Sequence, residues 1–270
     1  MIRFGIEMTT IGFDYKTVRA ISQEAERLGF NSAWLADHVM PPPWIPPNTP
    51  RLECWTTISA LASETKTLRL GTSVLSNTFR HPSILAKMAA TLDTISNGRL
   101  EFGIGAGWNE AEHAAYGIPF PKTLTRIGRM EEAIRLIKKM WTEEETTFKG
   151  RHYSLTRASL YPKPLQKPHP PIMIGGRGEK VMLKIVAEHA DISNFDVRPS
   201  PPTPEQFRRK IGVLTHYCSA LGRDPSHIEK SLLTDVVIAE NQQEAREKIR
   251  RFRQNLSIRE KREIPFDEYS

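Results

Sequence analysis

Short apolar runs alternate along this chain with longer segments in which apolar residues recur at helical spacing. The short runs predict strands at 2–7, 32–36, 68–75, 100–105, 171–174, 191–195 and 231–239. The longer segments that follow them predict helices at 14–29, 53–63, 81–97, 127–141, 179–189, 204–221 and 243–254. Because the short runs lack a polar face, we expect parallel strands with helices packed outside them.

Seven repeats of strand and helix indicate an α/β fold, and a TIM (β/α)8-type barrel fits them best. We expect one barrel domain over residues 1–270. Residues 142–170 interrupt the alternation after the fourth helix and predict a hairpin insertion that turns at Gly150. No eighth unit is found, since the charged segment 257–270 contains no strand-like run. Either a C-terminal segment that closes the barrel is absent from this chain, or a strand escapes the pattern.

The strand at 100–105 ends in a loop of small residues, Gly105-Ala106-Gly107, followed by Trp108. Missing side chains there leave backbone N–H groups open to a flat or anionic ligand. A tight turn is the alternative interpretation. The dinucleotide-binding fingerprint does not fit, because Trp108 stands at the sixth position of the run that begins at Gly103, where a glycine is required, and no acidic residue lies between Glu112 and Glu131 to hold a ribose.

In a barrel of this type, functional groups lie at the C-terminal ends of the strands. Asp37 and His38 follow the second predicted strand, residues 73–76 end the third, and the glycine loop ends the fourth. His38 is a candidate for proton transfer, with Asp37 before it and a proline-rich loop at 39–47 after it. The alternative is an exposed loop histidine without a catalytic role.

A second glycine-rich stretch follows the fifth predicted strand and opens a helix: Gly175, Gly176, Arg177, Gly178 and Glu179. Backbone N–H groups, a helix N-terminus and one guanidinium can converge on a phosphate in such a stretch. A flexible turn between strand and helix is the alternative interpretation.

The charge balance and cysteine count narrow the possible partners. A formal charge of +7 and a pI near 9.4 suit an anionic small ligand, and no basic run interleaved with aromatic residues predicts nucleic-acid binding. Cys54 and Cys218 are the only cysteines, so we expect no disulfide framework and no metal site. The mean hydropathy of −0.43 and the lack of a long apolar run predict no membrane span and a cytoplasmic location.

Three long stretches, at 28–39, 69–121 and 168–195, resemble in the correct order the luciferase-like flavin and deazaflavin oxidoreductases, and specifically their coenzyme F420-dependent branch. Their motifs are SAWLADHV, RLGTSVLSNTFRHPSILAKMAATLDTISNGRLEFGIGAGWNEAEHAAYGIPFP and PHPPIMIGGRGEKVMLKIVAEHADISNF. The resemblance implies a TIM barrel whose cofactor ring lies at the C-terminal strand ends. It also implies a small-molecule substrate and a homodimer formed through the second and third helices.

The resemblance also implies a place for each candidate residue. A non-proline cis peptide in the third strand of the family would match Ser73-Val74, which with Ser76 would brace the ring. Asp37 and His38 would face the reactive side. Residues 105–108 would hold the ring and the cofactor side chain, and residues 175–179 its phosphate.

One departure from the family pattern bears on the substrate. In the sugar-phosphate dehydrogenases of this family a catalytic Glu directly follows the Gly-x-Gly, whereas this chain has Trp108, with Glu110 and Glu112 further on. The first hypothesis is an oxidoreductase that transfers a hydride between F420 and a small organic substrate. The alternatives are a monooxygenase that uses flavin mononucleotide (FMN) and a ligand-binding paralogue without turnover.

Overall fold

The computed structural model describes residues 2–42, 45–176, 178–196, 203–234 and 236–260 of the chain. Its strands are β1 (Gly5–Met8), β2 (Ser32–Leu35), β3 (Arg69–Thr72), β4 (Leu75–Ser76), β5 (Leu100–Gly105), β6 (Glu145–Lys149), β7 (Ser154–Ser159), β8 (Ile172–Gly175), β9 (Ile192–Asp196) and β10 (Glu229–Leu233). Its helices are α1 (Tyr15–Arg27), α2 (Cys54–Glu64), α3 (Pro82–Ile95), α4 (Glu110–Ala115), α5 (Thr123–Thr142), α6 (Met182–His189), α7 (Pro204–Ala220) and α8 (Gln242–Glu260).

The main sheet runs in the order β1-β2-β3-β5-β8-β9-β10, and β4 continues β3 alongside β5. All pairings described in this sheet are parallel. The predicted α/β class and barrel-type arrangement are therefore confirmed. Because the strands are parallel, the residues that follow β2, β4, β5 and β8 meet at one edge of the sheet.

In the described part of the chain the barrel stays open, as predicted from the missing eighth unit. There β1 pairs with β2 alone and β10 with β9 alone. Across the gap, Arg3 Nε donates to Oε1 of Glu229 at 3.2 Å, so the N-terminal ends of the two edge strands lie within reach of one ion pair.

The predicted insertion is an antiparallel hairpin of β6 and β7. Glu132 of α5 holds its turn, because the carboxylate accepts the backbone N–H groups of Arg151, His152 and Tyr153 at 2.7–3.0 Å. The core beside it is built around Phe102 of β5, whose ring meets Trp141 of α5 edge to face with centroids 5.2 Å apart.

Several predicted boundaries are wrong. The first strand begins at Gly5 and not at Ile2, and the helix predicted from Ile127 begins at Thr123. The third predicted strand is broken into β3 and β4. The last strand ends at Leu233, and Val236 and Ile238, which we placed in it, are 73% and 81% exposed in an irregular segment. The helix predicted from Glu179 begins at Met182, after a turn. None of the described helices is long and apolar enough to cross a lipid bilayer.

Candidate functional site

The strand next to β5 is broken by a cis peptide bond between Ser73 and Val74. The pairings before and after the break differ in register by one residue, which identifies a bulge. At the bulge the Thr72 hydroxyl accepts the N–H of Gly103 at 3.0 Å and donates to the carbonyl oxygen of Gly103 at 2.8 Å, so no backbone group of Gly103 is left unpaired. The cis peptide implied by the family resemblance is present at the implied position.

Val74 occupies the space left by two glycines on neighbouring strands. A β-carbon added to Gly105 would lie 2.7 Å from Cγ2 of Val74, and one added to Gly175 would lie 2.9 Å from the same atom. We expected the small residue at Gly105 to leave backbone groups open to a ligand. Its first role is different, since it admits the Val74 side chain. Val74, Gly105 and Gly175, all at the sheet's C-terminal edge, form what we call the Val74 platform.

We expect Gly105→Ala to destabilise the protein by about 1–3 kcal/mol, the usual cost of overpacking. If the cause is contact with Val74, the added Val74→Ala change should recover most of that loss, because the clashing methyl group is gone. Urea unfolding of both single variants and of the double variant measures the coupling. Strictly additive effects would contradict the contact.

His38 lies just beyond β2, between a buried carboxylate and an exposed indole. Its Nδ1 is 2.8 Å from Oε2 of Glu112, which belongs to α4. The His38 ring also meets the Trp108 ring edge to face, with centroids 5.4 Å apart. The side chain of His38 is 23% exposed and that of Glu112 only 1%. The histidine therefore remains accessible while its partner does not.

The Glu112 carboxylate is held in its ionised form. Burial works to raise its pKa, but the hydrogen bond and charge of His38 and the N–H groups of Val39 and Met40 outweigh it and lower the pKa. An ionised carboxylate only accepts hydrogen bonds, so Nδ1 of His38 must be the donor. Nε2 is then the ring nitrogen that can take up or release a proton.

Asp37 does not support His38 as we expected from their adjacency. Its carboxylate forms a two-pronged ion pair with Arg80, with Nη1 to Oδ2 at 2.7 Å and Nη2 to Oδ1 at 3.1 Å. The same carboxylate accepts the N–H of Ser76 at 3.0 Å. The Asp37 side chain therefore joins the end of β2 to β4, and Glu112 takes the position beside the histidine.

Ser76 begins a chain of short hydrogen bonds beneath the glycine loop. Its hydroxyl lies 2.6 Å from that of Thr78, which lies 2.6 Å from Nε2 of His113. Nδ1 of His113 donates to the carbonyl oxygen of Asn109 at 2.7 Å. Gly107 closes over this chain at φ +78°, and a β-carbon there would lie 2.6 Å from Oγ of Ser76. Gly107 is therefore required both by its backbone angle and by the close approach.

The other two residues of the loop differ in exposure. Ala106 packs against the hydrophobic core, whereas Trp108 is 57% exposed and presents an indole beside His38. An exposed aromatic ring next to a candidate proton carrier can contact a substrate.

The predicted phosphate loop follows β8. Gly176 has φ +141°, and a β-carbon on it would lie 2.8 Å from Cε of Met182. No side chain caps α6, whose N-cap residue is Val181, so a phosphate could take that place. Gly178 is half-buried in the same turn. Arg177 lies outside the described residues.

Glu179 pairs with the next helix. Its carboxylate lies 2.9 Å from Nη2 of Arg209 and 3.7 Å from Nζ of Lys210, both on α7. A carboxylate repels a phosphate, and the Glu179 carboxylate is paired with two cations of α7, so its geometry does not favour the direct phosphate contact that we expected.

Sequence reasoning named Glu112 only as an acidic residue beyond the Gly-x-Gly and missed its contact with His38, and it missed Arg80 and His113 altogether. The helix that places Glu112 had a detectable signal: Asn109 caps α4 by accepting the N–H of Glu112, and Asn followed three residues later by Glu marks a helix start. The pairing of Arg80 with Asp37 had none, because nothing in an isolated arginine shows its partner.

Comparison with known proteins gives one family and several relatives. The model of the family described as luciferase-like monooxygenase matches residues 1–269. An F420-dependent glucose-6-phosphate dehydrogenase of Kineococcus radiotolerans is 38% identical over 156 residues, which cover 57% of this chain and 45% of that protein. A protein of the same description from Amycolatopsis mediterranei is 34% identical over 177 residues, or 65% of this chain and 53% of the relative. The chain thus spans about half the length of these curated relatives.

Solved structures agree on the fold. An F420-dependent secondary alcohol dehydrogenase in complex with an F420-acetone adduct superimposes with a TM-score of 0.75 at 25% identity, over 85% of this chain and 68% of the other. A riboflavin lyase with modified FMN superimposes with a TM-score of 0.80 at 19% identity, over 93% of this chain and 66% of the other. The second likeness concerns the fold alone.

Proposed function

The chain belongs to the luciferase-like monooxygenase family, and we propose that it is an oxidoreductase that transfers a hydride between coenzyme F420 and a small organic substrate. The observation that carries the proposal is the Val74 platform at the C-terminal edge of the sheet, flanked by His38 on one side and the uncapped start of α6 on the other. The F420-dependent relatives support the choice of cofactor.

The residues at this edge fit such a cofactor. The half-exposed Val74 and the glycines around it offer a side-chain-poor apolar surface that suits a flat ring. The turn at 178–181 offers backbone N–H groups before α6 without a side-chain cap, which suits a phosphate. In our proposal Ser73, Val74 and Ser76 brace the ring, the loop 105–108 borders it, and the phosphate lies at the turn.

When bound, the deazaflavin supplies the acceptor or donor of a hydride. The protein's own contribution is proton transfer at Nε2 of His38, which takes the proton of a substrate hydroxyl in the oxidation and returns it in the reduction. The ionised Glu112 supports this role, since it accepts the Nδ1 hydrogen of His38 and so fixes the orientation of the ring. Asp37 acts at a distance, by holding the ends of β2 and β4 together.

Trp108 supports a substrate other than a sugar phosphate. Where the sugar-phosphate dehydrogenases of this family have a catalytic Glu, this site presents an exposed indole at 5.4 Å from the His38 ring. An apolar wall favours a compact alcohol or carbonyl compound. The similarity to an F420-dependent secondary alcohol dehydrogenase supports the same class.

Turnover tests this proposal directly. Purified protein is supplied with oxidised F420 and, in separate reactions, with small secondary alcohols and with glucose 6-phosphate, while the absorbance of the oxidised deazaflavin is followed. We expect reduction of F420 with an alcohol and little or none with glucose 6-phosphate. Bound cofactor without turnover on any alcohol or carbonyl compound would instead support the ligand-binding paralogue.

The turn after β8 provides a matched pair of variants for the phosphate site. Gly176→Ala places a β-carbon at φ +141° and 2.8 Å from Cε of Met182, whereas the nearest atom to a β-carbon at Gly178 is an ordinary 3.6 Å away. We expect Gly176→Ala to weaken F420 binding about tenfold or more and FMN binding alike, since both carry a phosphate. Gly178→Ala should bind nearly as the parent. Unchanged binding in a folded Gly176→Ala protein would remove this assignment.

We also propose a cytoplasmic location. Cys54 and Cys218 are both free and buried, which suits a reducing compartment.

A homodimer formed through α2 and α3 also belongs to our proposal. On α3, Ile84 is 60% exposed and Ile95 49%, which leaves apolar side chains on the outer face of the helix. Ile84→Glu is expected to shift the mass in solution from dimer to monomer, as measured by light scattering. A monomeric parent protein would contradict the dimer.

A further inference from the structure

A buried histidine that lies away from the C-terminal edge of the sheet has a ring nitrogen without a hydrogen-bond partner. His189 ends α6, is 7% exposed, and its Nε2 has no partner within hydrogen-bonding geometry. The nearest acidic atoms are Oε1 of Glu131 at 3.8 Å and Oε1 of Glu188 at 3.7 Å. Both distances exceed the usual limit of about 3.2 Å for an N–H···O hydrogen bond. The three side chains converge without satisfying one another.

We propose that Glu131, Glu188 and His189 bind one divalent transition-metal ion, Zn2+ in the first place, between α5 and α6. One imidazole nitrogen and two carboxylate oxygens form a donor set that Zn2+ accepts, with water completing the coordination. Mg2+ is a poor occupant, because it prefers oxygen ligands in near-ideal octahedral geometry.

The spacing is close to what such an ion needs. Metal bonds of about 2.1 Å at a tetrahedral angle separate two donor atoms by about 3.4 Å. The observed 3.7 and 3.8 Å are only slightly longer, and the three donor atoms all lie within 4.8 Å of one another. Glu131 and Glu188 are 35% and 44% exposed, so both are free to rotate inward and the ion has access from solvent.

A lysine beside the ring does not compete for the two carboxylates. Nζ of Lys138 donates to the carbonyl oxygen of His189 at 2.8 Å, so this cation is anchored on the backbone and not on the carboxylates.

The sequence predicted no metal site, because the prediction relied on the cysteines. Two of the three ligands are adjacent on α6, but the third comes from α5, and only the packing of the two helices brings it near. A metal here would cross-link α5 to the helix that follows the proposed phosphate turn. This inference does not depend on the proposed activity.

Metal binding is tested on the full chain after removal of metal with a chelator. Zn2+ is titrated by calorimetry, and Co2+ by the visible absorption that a bound ion shows. We expect one ion per chain and a rise in Tm of roughly 5–10 °C when free Zn2+ is about 100 times its Kd. Mg2+ at the same concentration should leave Tm unchanged.

Glu131→Gln and Glu188→Gln change exposed carboxylates, so both variants should fold. Each is expected to weaken Zn2+ binding about tenfold or more, and His189→Ala at least as much. His216→Ala removes an exposed histidine on α7 and should bind as the parent does. Zn2+ affinity that is equal in the parent and in both glutamine variants, or no stoichiometric binding at micromolar Zn2+, would overturn the proposal.

Discussion

Replacing His38 with alanine is expected to lower turnover by about 10²–10⁴-fold, the usual contribution of a positioned acid–base group. The ring is accessible, its Nδ1 is committed to the buried Glu112, and Nε2 is left to exchange a proton with substrate. F420 affinity should stay nearly unchanged, because the Val74 platform and the turn after β8 do not include His38. Turnover, cofactor affinity and Tm are measured on the same variant.

Two further variants make the result interpretable. His227→Ala removes an exposed histidine at the opposite edge of the sheet and should change none of the three quantities. Glu112→Gln keeps a hydrogen-bond acceptor for Nδ1 but removes the charge, so we expect a smaller loss of turnover than in His38→Ala. Normal turnover in His38→Ala would eliminate the catalytic role. A parallel loss of F420 affinity would place His38 among the cofactor contacts instead.

The second large effect concerns stability. Arg80→Met is expected to destabilise the protein by about 3–5 kcal/mol, the usual cost of leaving one member of a buried ion pair without its partner. The side chain of Asp37 is 1% exposed and that of Arg80 15%, so water cannot replace the guanidinium. The free energy of unfolding in urea measures the loss.

A double variant separates the pair from other effects of the substitution. Asp37→Asn removes the stranded charge, so Arg80→Met combined with Asp37→Asn should be more stable than Arg80→Met alone. Arg80 also contacts Glu53 at 2.5 Å, an interaction that the double variant does not restore, so some loss should persist. A loss below about 1 kcal/mol in Arg80→Met would show that the pair behaves as an exposed one.

Much of the architecture could be predicted because it follows from repetition. Parallel strands alternate with helices, and that order alone places the residues after β2, β4, β5 and β8 at one edge of the sheet. The position of the cis peptide at Ser73-Val74 came from family resemblance, since nothing in the local residues distinguishes it from an ordinary strand. The open edge between β1 and β10 in the described residues agrees with the seven strand-and-helix units counted in the sequence.

The partners within the site could not be predicted in the same way. Glu112 lies on α4, a six-residue helix that is too short for an apolar period to reveal. Adjacency suggested Asp37 as the partner of His38, but consecutive residues after a strand point to different sides, and Asp37 turns towards Arg80. We interpreted the glycines at the ends of β5 and β8 as backbone that is open to a ligand. Their close approach to the Val74 side chain could not be predicted, because it depends on how these strands pair in the fold.

Binding of the two candidate cofactors is the most direct test of the central claim, that this site serves coenzyme F420. Purified protein is titrated with oxidised F420 and, separately, with FMN, and the quenching of cofactor fluorescence is followed, with Gly176→Ala as the weakened control. We expect F420 to bind with one site per chain and at least about tenfold more tightly than FMN. Tight, stoichiometric binding of FMN with no measurable binding of F420 would contradict the account and make the protein a flavin-dependent monooxygenase instead.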